Sequence, residues 1–156
     1  MIRAAALALC LAAGPAAAQS VFLEELTSPE VKALIAKGTT TAIVPTGGVE
    51  QNGPHMALGK HNAVVRFAAG EIARELKNAL VAPVVAYVPE ADHMGHAGTL
   101  DLPERVFELV LEHAARSLKA HGFRLICLIG DSGGNQDAQQ RQQVAAHTVT
   151  LQCQQI

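Results

Sequence analysis

Short runs that are almost wholly apolar alternate with amphipathic segments, and this alternation most constrains the fold of the chain. The apolar runs Thr41–Pro45, Leu80–Val88 and Arg124–Ile129 have the length of strands. Strands that lack alternating polar residues are typical of a sheet covered on both faces, the usual setting of parallel strands. The order of segments therefore predicts an α/β fold with three α/β/α layers around a small, mainly parallel sheet.

Three helices are predicted between and before the strands. Thr27 or Ser28 caps the first, the second spans His61–Asn78, and the third begins at Pro103 and ends at Gly122. Short polar residues are good N-caps, proline is tolerated in the first turn, and glycine commonly follows the last turn.

The start of the chain has the pattern of a secretory signal peptide. Arg3 precedes the apolar run Ala4–Ala13, and Ala16–Ala18 supplies the small-x-small cleavage pattern. We therefore expect residues 1–18 to be removed on export to the periplasm or to the outside of the cell. The run is too short to span a bilayer, so no membrane association is expected after cleavage. The alternative is an apolar N-terminal helix that belongs to the fold.

The folded domain is predicted to cover residues 19–146, followed by a weakly structured tail over residues 147–156. Glutamine becomes frequent after Gln136, and no strand is evident past Ile129. A parallel sheet of three strands is small, so the domain is expected to be incomplete at its C-terminal end, through truncation or a shifted reading frame.

Composition excludes two broad classes of protein. Hydrophobic residues make up 49% of the chain and charged residues 17%, which argues against disorder. The formal net charge is −2, so no basic surface is expected for nucleic acid. Cys127 lies within an apolar run and is expected to be a buried small side chain.

Polar residues follow each predicted strand, at the edge where parallel sheets bind ligands. The three loops span residues 47–62, 90–96 and 130–135, and they contain Glu50, Asp92 and Asp131 together with four of the seven histidines. Mixed carboxylate and imidazole ligands suit Zn²⁺ or Mn²⁺. The alternative is that these side chains cap helices and satisfy turns.

Three ordered motifs in these loops resemble the creatininase (creatinine amidohydrolase) family. Residues 50–61 read E-Q-N-G-P-H-M-A-L-G-K-H, similar to the family signature E-Q-H-G-P-H-L-P-L-G-T-D. Residues 93–100 read H-M-G-H-A-G-T-L, similar to H-M-G-F-P-G-T-L. Residues 128–135 read L-I-G-D-S-G-G-N and resemble an apolar strand followed by N-G-H-G-G-N.

The resemblance implies a centre of one or two divalent metal ions, with several ligand positions changed. By position, the family's glutamate ligand is Glu50, its histidine ligand falls on Asn52, and its bridging aspartate falls on His61. The histidine of the third motif falls on Ser132, beside Asp131. We expect Glu50, His61 and Asp131 to hold the metal, with Asn52 as a weaker ligand. Helix caps and loop hydrogen bonds are the alternative.

The resemblance also implies residues that face the substrate. Asp92 and His93 are candidate catalytic residues, with a solvated loop role as the alternative. The candidates for substrate binding are Ser132, Gly133, Gly134 and Asn135. The backbone N–H groups of the two glycines could stabilise an oxyanion.

The function implied by the resemblance is metal-dependent hydrolysis of a C–N bond in a small cyclic or linear amide. Family members form oligomers, which implies a possible homo-oligomer here. The family's later H-A-G-x-x-E segment has no counterpart after Asn135. Two alternatives therefore stay open: a non-catalytic remnant or small-molecule binding module of the same fold, and an unstable truncated product.

Overall fold

The structure is a computed structural model that describes residues 19–130 and 149–152. Two 3-10 turns, Leu23–Glu25 and Ala91–His93, lie in its loops. The helices and strands are, in chain order, α1 (Ser28–Ala36), β1 (Thr41–Thr46), α2 (Lys60–Leu76), β2 (Ala79–Val81), α3 (Glu104–Ala120), β3 (Leu125–Gly130) and β4 (Val149–Gln152).

The strands form one parallel sheet in the order β2-β1-β3-β4. Strand β1 is central, and all six of its residues are buried. Its register places Thr41 opposite both Ala79 of β2 and Leu125 of β3. The prediction of a small parallel sheet is confirmed, and burial on both faces explains why the strands lack polar alternation.

The two faces of the sheet pack against different helices, because successive side chains of a strand point to opposite faces. Ile43 belongs to the core beside α2, where it joins Val65. Val44 belongs to the opposite core, which contains Phe107 of α3 and is also contacted by Ile35 of α1. The predicted three layers are confirmed, and the structure shows α2 on one face and α1 and α3 on the other.

The predicted helix ends agree closely with the structure. Thr27 is the N-cap of α1, and its backbone N–H and side-chain hydroxyl both donate to the Glu30 carboxylate, at 2.7 and 2.6 Å. Pro103 is the N-cap of α3. Helix α2 ends at Leu76, before Lys77, which has a left-handed backbone (φ 60°).

Two strand predictions need correction. The predicted strand Leu80–Val88 is much shorter, because β2 ends at Val81 and Pro83 has no N–H to donate to a neighbouring strand. Beyond β2, Val85 and Val88 each form one isolated β-bridge, so this segment continues in an extended conformation. The prediction of no strand past Ile129 was wrong, since β4 pairs in parallel with β3 and lies within the segment assigned to a weakly structured tail.

Several predictions fall outside the part of the chain that the structure describes. They include the signal peptide at residues 1–18 and the end of the predicted domain, residues 131–146. Among the described residues, no helix is both long enough and apolar enough to cross a membrane.

Candidate metal centre

The loops that follow β1 and β2 meet at the carboxyl edge of the sheet. These strands are parallel neighbours, so the segments leaving them emerge side by side. The first loop carries Glu50 and leads into α2, whose second residue is His61. The second loop carries Glu90 and the 3-10 turn Ala91–His93. The predicted convergence of these two loops is observed.

Three side chains form a compact cluster at this edge. Nδ1 of His93 lies 2.9 Å from Oε2 of Glu50 and 3.2 Å from Oε2 of Glu90. One ligand atom from each of the three residues lies within 4.8 Å of the other two. Both carboxylates are buried, whereas the His93 side chain is 44% exposed. The cluster therefore consists of two buried carboxylates and an imidazole on the side that is open to solvent.

Burial and charge repulsion act together on Glu90. Loss of hydration by burial raises the pKa of Glu90, and the neighbouring Glu50 carboxylate raises it further. Interaction with His93 opposes this shift. Two buried carboxylates this close are costly while both are charged, and a positive ion between them would remove that cost.

Backbone contacts hold both loops in place. Oδ1 of Asn62 accepts the N–H of Gly48 at 3.0 Å, which ties the first loop to the start of α2. Oδ1 of Asp101 accepts the N–H of Glu90 at 2.7 Å, and the N–H of Leu102 donates to the Val88 carbonyl at 3.0 Å. The acidic side chains therefore project from a rigid framework.

The structure brings together three of the residues singled out by sequence, Glu50, His61 and His93. Nε2 of His61 lies 2.7 Å from Oε1 of Glu50, but His61 is not one of the three residues of the cluster. Asp92 is exposed and lies outside the cluster.

Both polar atoms of the Asn52 side chain contact other groups of the protein. Its amide donates to the Glu50 carbonyl at 3.3 Å, and its Oδ1 accepts from the Lys60 ammonium at 3.3 Å. The oxygen expected to bind a metal thus already faces a cation.

The remaining predicted residues lie outside the described part of the chain. They are Asp131 of the metal set and the substrate-binding candidates Ser132, Gly133, Gly134 and Asn135. Their roles stay predictions.

Glu90 is the residue that the motifs did not identify. It lies directly after Pro89, in the same loop as Asp92 and His93, but outside the matched segment that begins at His93. Its position three residues before His93 could have identified Glu90, because one 3-10 turn brings residues at this spacing onto the same side. Sequence alone did not show that Glu90 turns inward while Asp92 faces solvent.

The cluster fits a divalent cation by the chemistry of its donors. Two carboxylates and one imidazole are ligands that Zn²⁺ and Mn²⁺ accept, and three protein ligands with one open side are typical of catalytic zinc sites. The partly exposed imidazole leaves room for water or a substrate. Glu50, Glu90 and His93 could therefore hold such an ion together.

Comparison with known proteins identifies the family of the chain. The sequence model of the family Creatininase (creatinine amidohydrolase) matches residues 24–152. The mycofactocin precursor peptide peptidase of Mycolicibacterium smegmatis is 33% identical over 101 residues, covering 62% of this chain and 40% of that protein. The creatinine amidohydrolase of Pseudomonas putida is 28% identical over 116 residues, covering 71% of this chain and 44% of that protein.

Solved creatininases share the fold. A mutant creatininase described as of Zn-Zn type aligns with a TM-score of 0.68 and 25% identity, and one described as creatininase Mn with 0.69 and 24%. Each alignment covers 86% of this chain and 58% of the other. The chain thus spans less than half the length of the curated relatives named above. Because the family match extends over most of its residues, the chain belongs to the creatininase family.

Proposed function

We propose that this chain carries the metal centre of a metal-dependent amidohydrolase that hydrolyses a C–N bond in a small cyclic or linear amide. The observation that supports this most directly is the cluster of Glu50, Glu90 and His93 at the carboxyl edge of the sheet. The membership of the family makes amide hydrolysis the reaction class to test first.

Each residue has a distinct part in this proposal. Glu50 and Glu90 would supply the buried negative charge that holds a divalent ion, and His93 would be the third ligand, on the side that is open to solvent. When bound, such an ion polarises the amide carbonyl and activates a water molecule for attack. The hydrogen bonds from Glu90 N–H to Asp101 and from Gly48 N–H to Asn62 would help to hold the ligands in one orientation.

The substrate class is proposed from the bond that the relatives' names have in common. One relative is named for a peptide precursor and another for creatinine, and both substrates contain an amide-type C–N bond. The open side beside His93 would admit the carbonyl of such a bond. We therefore expect a small amide rather than one particular compound.

Metal binding by the full chain is the first test. We expect about one equivalent of Zn²⁺ or Mn²⁺ by elemental analysis and a higher melting temperature with metal than with a chelator. At a free metal concentration near 100 Kd, the gain is about 2.7 kcal/mol, or a rise of about 5–10 °C for a domain of this size.

Matched variants assign the site. Glu50→Gln and His93→Gln should lose the metal and the rise in melting temperature. His96→Gln, an exposed histidine of the same loop outside the cluster, should keep both. Hydrolysis of creatinine and of short peptide amides is then measured with and without metal. A folded protein that binds no metal would overturn the proposal and favour a non-catalytic binding module.

Export is a separate proposal that rests on the N-terminal pattern around Arg3 and Ala16–Ala18. Intact-mass measurement of protein from the periplasm or medium should show a chain that begins at Gln19. Recovery of the full-length chain from the cytoplasm alone would contradict export. A homo-oligomer also stays a prediction, which light scattering of the metal-loaded protein tests.

A further inference from the structure

A cavity lies between α1 and the end of α3, and its lining combines aliphatic side chains with two basic ones. Its volume is about 690 Å³, within the range of about 300–1,000 Å³ that is typical of small-molecule sites. We infer that this cavity is a second ligand site, which binds a carboxylic acid that carries an apolar chain.

The cavity and the metal cluster lie at opposite edges of the sheet. Helix α3 ends at Ala120, and Phe123, which lines the cavity, comes two residues before β3 begins at Leu125. The cavity is therefore at the edge where the strands begin, whereas the metal cluster is in the loops that follow β1 and β2. Because the two sites are separate, this inference does not depend on the proposed function.

The floor of the cavity is apolar and belongs to a well-packed part of the fold. Phe123 and Leu118 are 3% and 8% exposed and lie in the core that contains α3. Leu26, Val31 and Ile35 are half-buried, pack against the same core and line the cavity. An apolar chain laid against these side chains would remove their remaining surface from water, and that burial favours binding.

The charged lining of the cavity is basic and favours an anion. Lys32 of α1 and His121, directly after α3, contribute to the lining, and no acidic side chain among the described residues does. Within the same part of the chain, no carboxylate forms an ion pair with Lys32. The Lys32 ammonium and the His121 imidazole can both donate to a carboxylate. A ligand with a carboxylate at one end and an apolar chain therefore matches both the charge and the floor.

Calorimetric titration of the full chain with octanoate tests the inference, with a chelator present to keep metal out of the measurement. Octanol has the same chain without the charge, and it should bind at least about threefold more weakly because it lacks the ion pair. Hexanoate should bind up to about 15-fold more weakly than octanoate, because it lacks two methylene groups that the apolar floor would cover.

Three variants assign the binding to this cavity. Lys32→Gln should weaken octanoate binding by about three- to fivefold and leave octanol binding unchanged. Lys119→Gln, at an exposed position of α3 outside the cavity, is the matched control and should bind octanoate as the unchanged chain does. Val31→Trp fills the cavity and should abolish binding of both ligands. Circular dichroism melts verify folding, and Lys32→Gln decides the test if Val31→Trp does not fold.

Each remaining outcome would overturn the inference. Equal affinity for octanoate and octanol, or equal effects of Lys32→Gln and Lys119→Gln, would show that the cavity does not select a carboxylate. Unchanged binding in a folded Val31→Trp would place the ligand elsewhere on the protein. If octanoate does not bind at all, the inference is wrong, and a dimer in light scattering that Val31→Trp dissociates would then identify a second copy of the chain as the occupant.

Discussion

A Cβ atom added at Gly48 would lie 3.0 Å from Oε1 of Glu90, and it would also lie 3.2 Å from Cγ2 of Val88. The two loops thus pass so close to each other that the Glu90 carboxylate packs against the α-hydrogen of Gly48. The absence of a side chain at Gly48 therefore allows Glu90 its place beside Glu50.

Gly48→Ala should weaken metal binding by about tenfold or more, because the added methyl pushes the Glu90 carboxylate away from the cluster. Gly95→Ala is the matched control, since a Cβ there meets no atom within 4 Å. Metal affinity of both variants is measured with the same competing chelator. Equal affinity for the two variants would show that Glu90 does not need its observed position.

Glu90→Gln should separate metal binding from the stability of the fold. Burial and the Glu50 carboxylate raise the pKa of Glu90, so a neutral amide at this position avoids both the cost of burying a charge and the repulsion by Glu50. We expect a metal-free melting temperature that is unchanged or higher. The rise on adding Zn²⁺ or Mn²⁺ should be largely lost.

Calorimetric melts of Glu90→Gln with metal and with chelator test both parts. His96→Gln, an exposed variant of the same loop, should keep the metal-dependent rise. A lower metal-free melting temperature in Glu90→Gln would contradict the repulsion. An unchanged metal-dependent rise would remove Glu90 from the ligands.

Local patterns predicted most of the fold. The buried strands and the capped helices follow from hydrophobic spacing and from residues such as Thr27 and Pro103, which act through their immediate neighbours. Strand β4 was missed because its pairing with β3 is a contact between distant segments. The extent of β2 was overestimated because Pro83 interrupts a run that hydrophobicity alone extends.

The sequence predicted which loops form the site, but it did not predict which of their side chains turn into it. Parallel strands place the ends of β1 and β2 at one edge, so the approach of Glu50 to the second loop follows from topology. Which carboxylate of that loop turns inward depends on the 3-10 turn and on the Asp101 contact to the Glu90 backbone. That contact joins residues outside any recognisable motif.

The cap of α1 should give the protein a measurable pH dependence. Hydrogen bonds from the Thr27 side chain and backbone lower the pKa of Glu30 in the folded state. The charged form is therefore favoured by folding, and its contribution is present above the ordinary pKa of glutamate. It is lost as the pH falls through the lowered value.

Glu30→Ala should accordingly melt below the unchanged chain at pH 7, with a difference that shrinks below about pH 4. Glu75→Ala, at an exposed position of α2, is the control for the loss of one acidic side chain. Melts from pH 7 to pH 3 measure the difference. A gap between Glu30→Ala and the unchanged chain that stays constant over this range would contradict the role of the charged cap.

Cys127 provides a probe of the sheet itself. It is 4% exposed, lies in β3 opposite Ile43, and packs in the core beside α2. Burial raises the pKa of its thiol, so both access and ionisation oppose reaction with an alkylating reagent. In the native protein, we expect alkylation of Cys127 at pH 8 to be at least about tenfold slower than in denaturant.

Peptide mass spectrometry follows Cys127 separately from Cys10 and Cys153. Equal rates in native buffer and in denaturant would contradict burial of β3. Slow reaction has a consequence for an exported chain, because a disulfide forms only through an accessible thiolate. Cys127 could then pair with another cysteine only after the sheet opens, so oxidation of the folded protein should leave this thiol free.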